Sequence, residues 1–365
     1  MKEEGVELFT GVPDTQLKEF CAYLMDQVPG DRHIIAANEG NALAIAAGHH
    51  LATGRLALVY MQNSGLGNVV NPLTSLTDAL VYRIPALLLI GWRGQPGTED
   101  EPQHKKQGLI TLELLETLGV DYRVLPADPG EAGSAVREAA ETAQAQGAPF
   151  AVVVEKGTFA SYPQVSPQEN PYDLSREEAI EIIISWLEAE APVVSTTGKI
   201  SRELFEIRER KGEGHHRDFL TVGSMGHSSQ IALGMALSLP QRPVYCLDGD
   251  GAVLMHMGSL ATVGKQLPGN YKHVVLNNGT HDSVGGQPTA GYKVDFTAIA
   301  EACGYQQSFR ADNREELLEK MPQFQEAPGP ALLEVRVAAG ARKDLGRPTT
   351  TPQENKEALM EFLLE

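Results

Sequence analysis

Short apolar runs bounded by Gly, Pro or Asn alternate with helical stretches along this chain, and the alternation occurs twice, on either side of one proline-rich break. Before the break the runs are His33–Ala37, Leu56–Gln62, Ile84–Gly91, Tyr122–Leu125 and Phe150–Glu155. After it they are Pro192–Thr196, Phe219–Val222, Val244–Leu247, His273–Leu276 and Ala331–Val337. Leu87-Leu88-Leu89-Ile90 is apolar at every position, as suits a strand covered on both faces of a parallel sheet. Between the runs lie helical stretches: Asn38–Thr53, stopped by Gly54, then Arg176–Glu190, Ser228–Leu239, Met255–Leu267 and one near Phe296–Cys303. Strand–helix alternation of this kind builds α/β folds. The expectation is two doubly wound, mostly parallel-sheet domains, 1–157 and 176–340, joined by a linker 158–175 (TFASYPQVSPQENPYDLS) and followed by a tail and helix 341–365. A length of 365 residues agrees, because single cores stop growing at about 250–300 residues.

Several classes of function are disfavoured. Lys plus Arg total 30 against 48 for Asp plus Glu, and a formal charge of -18 repels phosphate backbones and anionic lipid. Nucleic acid and membrane surfaces are therefore not expected partners. The longest uncharged apolar run, Ile84–Trp92, is far short of the ~20 residues that span a bilayer. Met1-Lys2-Glu3-Glu4 turns acidic at once, without an apolar signal core. Cys21, Cys246 and Cys303 are scattered and form no CxxC pair, which argues for a reducing cytoplasm and against a disulfide framework or a four-cysteine metal site.

The residues that suggest chemistry stand just past strand ends. Val244–Leu247 runs into Asp248-Gly249-Asp250-Gly251-Ala252, and His273–Leu276 runs into Asn277-Asn278-Gly279-Thr280. Ligands of open α/β sheets bind at these carboxyl ends. Gly249 and Gly251 allow a tight turn, and the helix after them offers free N–H groups to an anion. A carboxylate, an amide oxygen and a main-chain carbonyl can share an octahedral Mg²⁺ with diphosphate oxygens and water. Each motif alone is equally an ordinary turn. Together, each closing an apolar strand, they are more specific. Asn63-Ser64-Gly65-Leu66-Gly67-Asn68 also follows a strand, yet the third glycine of a dinucleotide loop would fall at Val70.

The paired motifs resemble those of thiamine diphosphate enzymes. The resemblance implies Mg²⁺ held by the Asp250 carboxylate, the Asn278 side chain and the Thr280 carbonyl. It also implies diphosphate contacts at Gly251 and Ala252. Met225, in Gly223-Ser224-Met225-Gly226, would be the wedge that bends the cofactor, with the Gly223 carbonyl accepting from its 4′-amino group; otherwise Met225 is a gap-filling core residue. Glu39, opening the helix after His33–Ala37, would act on the aminopyrimidine, and Gly11-Val12-Pro13-Asp14 would let Gly11 and Pro13 approach the cofactor. Read without the resemblance, Glu39 complements a helix dipole. The Asn63–Asn68 stretch resembles the Ser-Gly turn lining such active sites, which places Ser64 near substrate.

Longer stretches, among them TTGKISRELFEIRE (196–209), CLDGDGAVLMHMGSL (246–260), VVLNNGTHDSVGGQPT (274–289), GWRGQPGTEDEPQHKKQG (91–108) and LGRPTTTP (345–352), resemble the phosphonopyruvate decarboxylase family over almost the whole chain. That resemblance implies decarboxylation of 3-phosphonopyruvate to phosphonoacetaldehyde in phosphonate biosynthesis. It implies no third, central domain, and a homo-oligomer with active sites at subunit interfaces. His281, His104 and Asp282 are the candidate proton donors, Asp282 having a structural reading as well. A doubly charged phosphonate in an acidic protein needs local cations. Arg93, Lys105 and Lys106 are expected contacts, although the neighbouring acids Glu99, Asp100 and Glu101 would partly cancel their field. Arg347 is expected to close from a mobile tail. Lys199 with Arg202 is a further cluster, and all three clusters are expected in loops. Rival readings are a sulfopyruvate decarboxylase, another thiamine diphosphate-dependent decarboxylase or carboligase, and a non-catalytic paralogue.

Overall fold

The computed structural model describes residues 5–163 and 171–364; Met1–Glu4 and residues 164–170 of the expected linker lie outside the described residues. The chain divides into two compact units, Met1–Pro167 and Gln168–Glu365. The first contains β1 (Val6–Gly11), β2 (His33–Ile35), β3 (Leu56–Gln62), β4 (Leu87–Gly91), β5 (Asp121–Val124) and β6 (Phe150–Val154). These form one sheet in the order β2-β1-β3-β4-β6-β5, with every pairing parallel. Side chains alternate between two buried layers. Leu58, Leu89 and Val152 enter one core with helix Pro129–Gln146, while Val59, Ile90 and Val153 enter another with helix Glu39–Thr53. Burial on both faces is why these strands read as unbroken apolar runs.

The second unit contains β7 (Val193–Ser195), β8 (Asp218–Leu220), β9 (Val244–Gly249), β10 (Tyr271–Asn277), β11 (Thr280–His281), β12 (Gln287–Pro288), β13 (Gln307–Ala311) and β14 (Ala331–Arg336). Six of them form a parallel sheet in the order β13-β14-β10-β9-β7-β8, and β11 and β12 make a small antiparallel ribbon. Leu247, Val274 and Leu333 pack in one core layer, Cys246, Val275 and Leu332 in the other.

Several elements differ from the sequence reading. The interior strand β1 and the edge strand β13 are additions to it. The single helix over Met255–Leu267 is instead two, Asp250–Met255 and Ser259–Gln266, separated at His256–Gly258. His104, Lys105 and Lys106 lie on helix Pro102–Thr117, and Lys199 with Arg202 on helix Lys199–Lys211, not in loops. The tail also is held. Arg202 donates to the carbonyls of Leu345 and Gly346, and Gly346 N–H to Glu206.

The C-terminal helix Pro352–Leu364 covers the sheet edge at β8. Asn355, 5% exposed, accepts from Leu220 N–H at 3.0 Å and donates to the Asp218 carbonyl at 2.7 Å, taking the place of a further strand. Asn355→Ala leaves both backbone groups without these partners. Denaturant unfolding is expected to show a loss of about 1–3 kcal/mol.

Candidate active site

In the first unit the candidate residues follow the carboxyl ends of β1 to β4. Asn38 caps helix Glu39–Thr53, its side chain accepting from Asn41 N–H at 2.9 Å, and this fixes Glu39 as the first helical residue. The Glu39 side chain is turned inward, 5% exposed, and accepts from Asn68 Nδ2 at 2.6 Å. Burial raises its carboxyl above the ordinary range, against the Asn68 hydrogen bond. Gly65 makes this possible, because a Cβ there would stand 2.5 Å from Glu39 Oε1. Gly65, and Asn68 on the helix Leu66–Ser75 that follows it, belong to the stretch that the sequence flagged only for Ser64. Ser64 itself is exposed and donates to Gln62 Oε1 at 2.7 Å. Beside Gly11 and Pro13, the buried Asp14 accepts from Gln62 Nε2 and from Gln16 N–H.

Arg93 follows β4. Its Nε and Nη2 grip Asp100 at 2.8 and 2.6 Å, and Nη1 donates to Thr15 Oγ1 at 2.6 Å. His104 Nδ1 meets the same Asp100 at 2.8 Å. Burial opposes ionisation of Asp100, but Arg93, His104 and Gly94 N–H outweigh it and hold the carboxyl below its usual range. Arg93 and His104 are thus brought together by an acid whose sequence position suggests only charge cancellation. Lys105 and Lys106 are exposed. Buried Asn63 donates to the Arg93 carbonyl at 2.8 Å and to Thr111 Oγ1 at 2.9 Å, fixing where the β4 loop leaves the sheet.

In the second unit Asp250 opens the helix after β9 and is 2% exposed. Burial pushes its carboxyl up to about 6, opposed by the Thr289 hydroxyl and by the backbone around Asn278 and Gly251, all neutral groups. Gly291 lies so close that a Cβ would strike Asp250 Oδ2 and Asn277 Oδ1. A buried carboxyl served only by neutral donors, with an amide and a carbonyl from the next strand end, is a donor set that suits a hard divalent cation. The residues present therefore fit Mg²⁺.

Asn277 does structural work, its Nδ2 donating to the Gly291 carbonyl at 2.9 Å and to buried Glu334 at 2.8 Å. Met225 sits in a turn with positive φ at Gly223 (69°), Ser224 (45°) and Gly226 (84°), pinned by Gly223 N–H to Thr197 Oγ1 at 3.0 Å. The space over Gly251 is bounded by the His281 ring, 3.1 Å from a Cβ built there, and by Met225 Cε at 3.4 Å. Burial lowers His281 to about 4, so the ring is neutral at pH 7. Asp282 is encircled by donors from Arg176, Asn278, Thr280 and Gly340. Arg347 is exposed in the tail that Arg202 holds.

Comparison with known proteins finds relatives of both units. The N-terminal thiamine pyrophosphate-binding domain of thiamine pyrophosphate enzymes matches residues 1–115, and the C-terminal thiamine pyrophosphate-binding domain matches residues 196–335. A phosphonopyruvate decarboxylase of Streptomyces viridochromogenes is 38% identical over 371 residues, covering 96% of this chain and 89% of that protein. The phosphonopyruvate decarboxylase of Streptomyces hygroscopicus is 37% identical over 99% of this chain and 91% of its own length. A sulfopyruvate decarboxylase of Methanosarcina acetivorans is 29% identical over 89% of this chain and 86% of its own. A sheet-edge carboxylate, an Asn-bearing strand end and two matched cofactor-binding domains thus coincide in one chain, which belongs to the thiamine pyrophosphate enzymes and, among them, to the phosphonopyruvate decarboxylase family.

Proposed function

We propose that this chain decarboxylates 3-phosphonopyruvate to phosphonoacetaldehyde and CO₂, using thiamine diphosphate and Mg²⁺, in phosphonate biosynthesis. The observation that carries the reading is Asp250, a buried carboxyl with neutral donors only, set beside Asn278 at the carboxyl ends of adjacent strands. The near-full-length likeness to phosphonopyruvate decarboxylases supports the substrate. Bound thiamine diphosphate supplies the electron sink for the departing carboxylate.

The chain's own residues hold and protonate. Asp250, Asn278 and the Thr280 carbonyl hold Mg²⁺. N–H groups of Gly251 and Ala252 meet the diphosphate, and Met225 and the Gly223 carbonyl support the pyrimidine side. Glu39, whose carboxyl burial pushes up, would hold or give up a proton at its carboxyl toward the pyrimidine ring, while Gly11 and Pro13 would shape the approach to it. His104 or His281 delivers the proton that the product carbon needs once CO₂ has left. His281, neutral by burial, is suited to relay a proton through its N–H; His104 is fixed by Asp100. The reading includes a cytoplasmic homo-oligomer with the active site completed between copies. The three free cysteines agree with a reducing compartment, and among the described residues no helix is long and apolar enough to cross a membrane.

Arg93, Lys105 and Lys106, with Ser64 and Arg347, are the proposed substrate contacts. Three of the five N–H donors of Arg93 are engaged by Asp100 and Thr15, which leaves two for a phosphonate. Steady-state comparison of phosphonopyruvate, sulfopyruvate and pyruvate tests the reading, and phosphonopyruvate is expected to have the highest kcat/KM. Arg93→Ala is expected to cost phosphonopyruvate about 1.5–3 kcal/mol, roughly ten- to a hundredfold, and pyruvate much less. Equal losses would leave Arg93 as a partner of Asp100 only. A preference for sulfopyruvate would move the chain to the sulfonate reaction.

A further inference from the structure

One carboxylate holds two of the three groups assigned to the metal. Asp282 Oδ2 accepts from Asn278 Nδ2 at 2.7 Å, and Asp282 Oδ1 accepts from Thr280 Oγ1 at 2.8 Å. An asparagine amide has a donor end and an acceptor end of nearly equal shape, so its hydrogen bonds alone decide which end meets a ligand. With Nδ2 committed to Asp282, the end left for a cation is Oδ1, which also accepts Thr280 N–H at 3.1 Å. Thr280 is likewise anchored through its hydroxyl, which fixes the peptide that carries its carbonyl.

Asp282 is itself held from the opposite side. Arg176 Nη1 donates to its Oδ2 at 2.7 Å, and Gly340 N–H reaches both oxygens at 3.1 and 3.0 Å. Arg176 is 4% exposed and cannot swing away, because Glu203 takes its Nε at 2.7 Å and its Nη2 at 2.8 Å. A carboxylate ringed by four donor groups, one of them a guanidinium, has neither a free lone pair directed at substrate nor a proton to give.

We propose that Asp282 is a positioning residue for the metal site, turning the Asn278 amide oxygen and the Thr280 carbonyl toward the cation rather than donating a proton to product. The inference rests on the function proposed above and gives that site a second layer. Groups that orient metal ligands in this way typically control metal affinity by ten- to a hundredfold. An amide in place of the carboxylate keeps one acceptor oxygen, so either Asn278 Nδ2 loses its acceptor or the Thr280 hydroxyl must turn round to accept from the new NH₂. It also turns its own NH₂ toward a donor.

The test is calorimetric titration of Mg²⁺ into full-length protein with excess thiamine diphosphate, paired with kcat at saturating Mg²⁺. For Asp282→Asn the Mg²⁺ Kd is expected to rise ten- to a hundredfold, with kcat at saturation changed only a few-fold. Thr280→Val, which keeps the carbonyl and loses only the anchoring hydroxyl, is expected to weaken Mg²⁺ in the same direction by less. It carries the test if Asp282→Asn does not fold, and wild-type affinity there would then overturn the proposal. A large fall in kcat at saturating Mg²⁺ with unchanged Kd would make Asp282 the proton donor and overturn it. A lower metal-free Tm with unchanged Kd would reduce Asp282 to a fold residue and overturn it equally. Wild-type protein that binds no Mg²⁺ with thiamine diphosphate would fail the functional reading itself, a result distinct from any variant effect.

Discussion

Asp250→Ala is expected to weaken Mg²⁺-dependent binding of thiamine diphosphate more than a hundredfold, about 3 kcal/mol or more, in equilibrium dialysis or calorimetry. The other two proposed ligands are neutral, so this carboxylate is the only formal negative charge among the three groups proposed to hold the cation. Chelating Mg²⁺ from wild-type protein should reproduce the loss. The apo chain is expected to move the other way. Asp250 is 2% exposed, and only neutral groups oppose the burial that raises its carboxyl. Burying an ionisable group under those terms costs stability. Its removal should therefore leave the metal-free Tm unchanged or higher. A variant that unfolds at lower temperature and still binds the cofactor with Mg²⁺ would mean that Asp250 serves the fold and the metal lies elsewhere.

Asp250 and Asn278 are legible in the sequence because a strand of a doubly wound sheet delivers whatever follows it to one edge. Locating the strand therefore locates the residue. Glu39 is legible for the same reason. Its partners are less so. Asn68 reaches it from the next helix and Gly65 by the absence of a side chain, and neither has a pattern of its own. The contact between Asp282 and Arg176 crosses 106 positions, a separation at which local spacing carries no signal. Strand β1 is a short N-terminal run, Val6 to Gly11, whose polar Glu7 and Thr10 hide its interior place. Strand β13 reads QSFRA and is largely half-buried at an edge, so little apolar burial marks it. The helix carrying His104, Lys105 and Lys106 reads as a loop because its first turns are polar. Its Pro102 stands where a helix tolerates proline, and the apolar residues begin only about two turns later, at Leu109.

Glu39→Gln is expected to slow exchange of the bound cofactor's thiazolium C2 proton by about 10²–10⁴-fold, the range ordinary for losing a positioned acid–base group. Cofactor affinity and Tm should change little. The amide keeps the shape that fits over Gly65 and keeps an oxygen to accept from Asn68. Burial already favours the uncharged form of Glu39, so a neutral replacement brings no new desolvation. What it loses is the ability to give and take a proton. Gly65→Ala reaches the same carboxyl sterically, since the added methyl would press on Oε1 and displace it. C2 exchange should fall there too, with Glu39 intact. Because Glu39 and Asp250 lie in different units, inactive Glu39→Gln and inactive Asp250→Ala chains also test assembly. If sites are completed between copies of a dimer, random exchange should restore about a quarter of wild-type activity, one good site in each mixed dimer. Wild-type C2 exchange in Glu39→Gln would remove Glu39 from the mechanism. No recovery on mixing, with exchange of subunits shown by mass, would mean that each chain builds its own site.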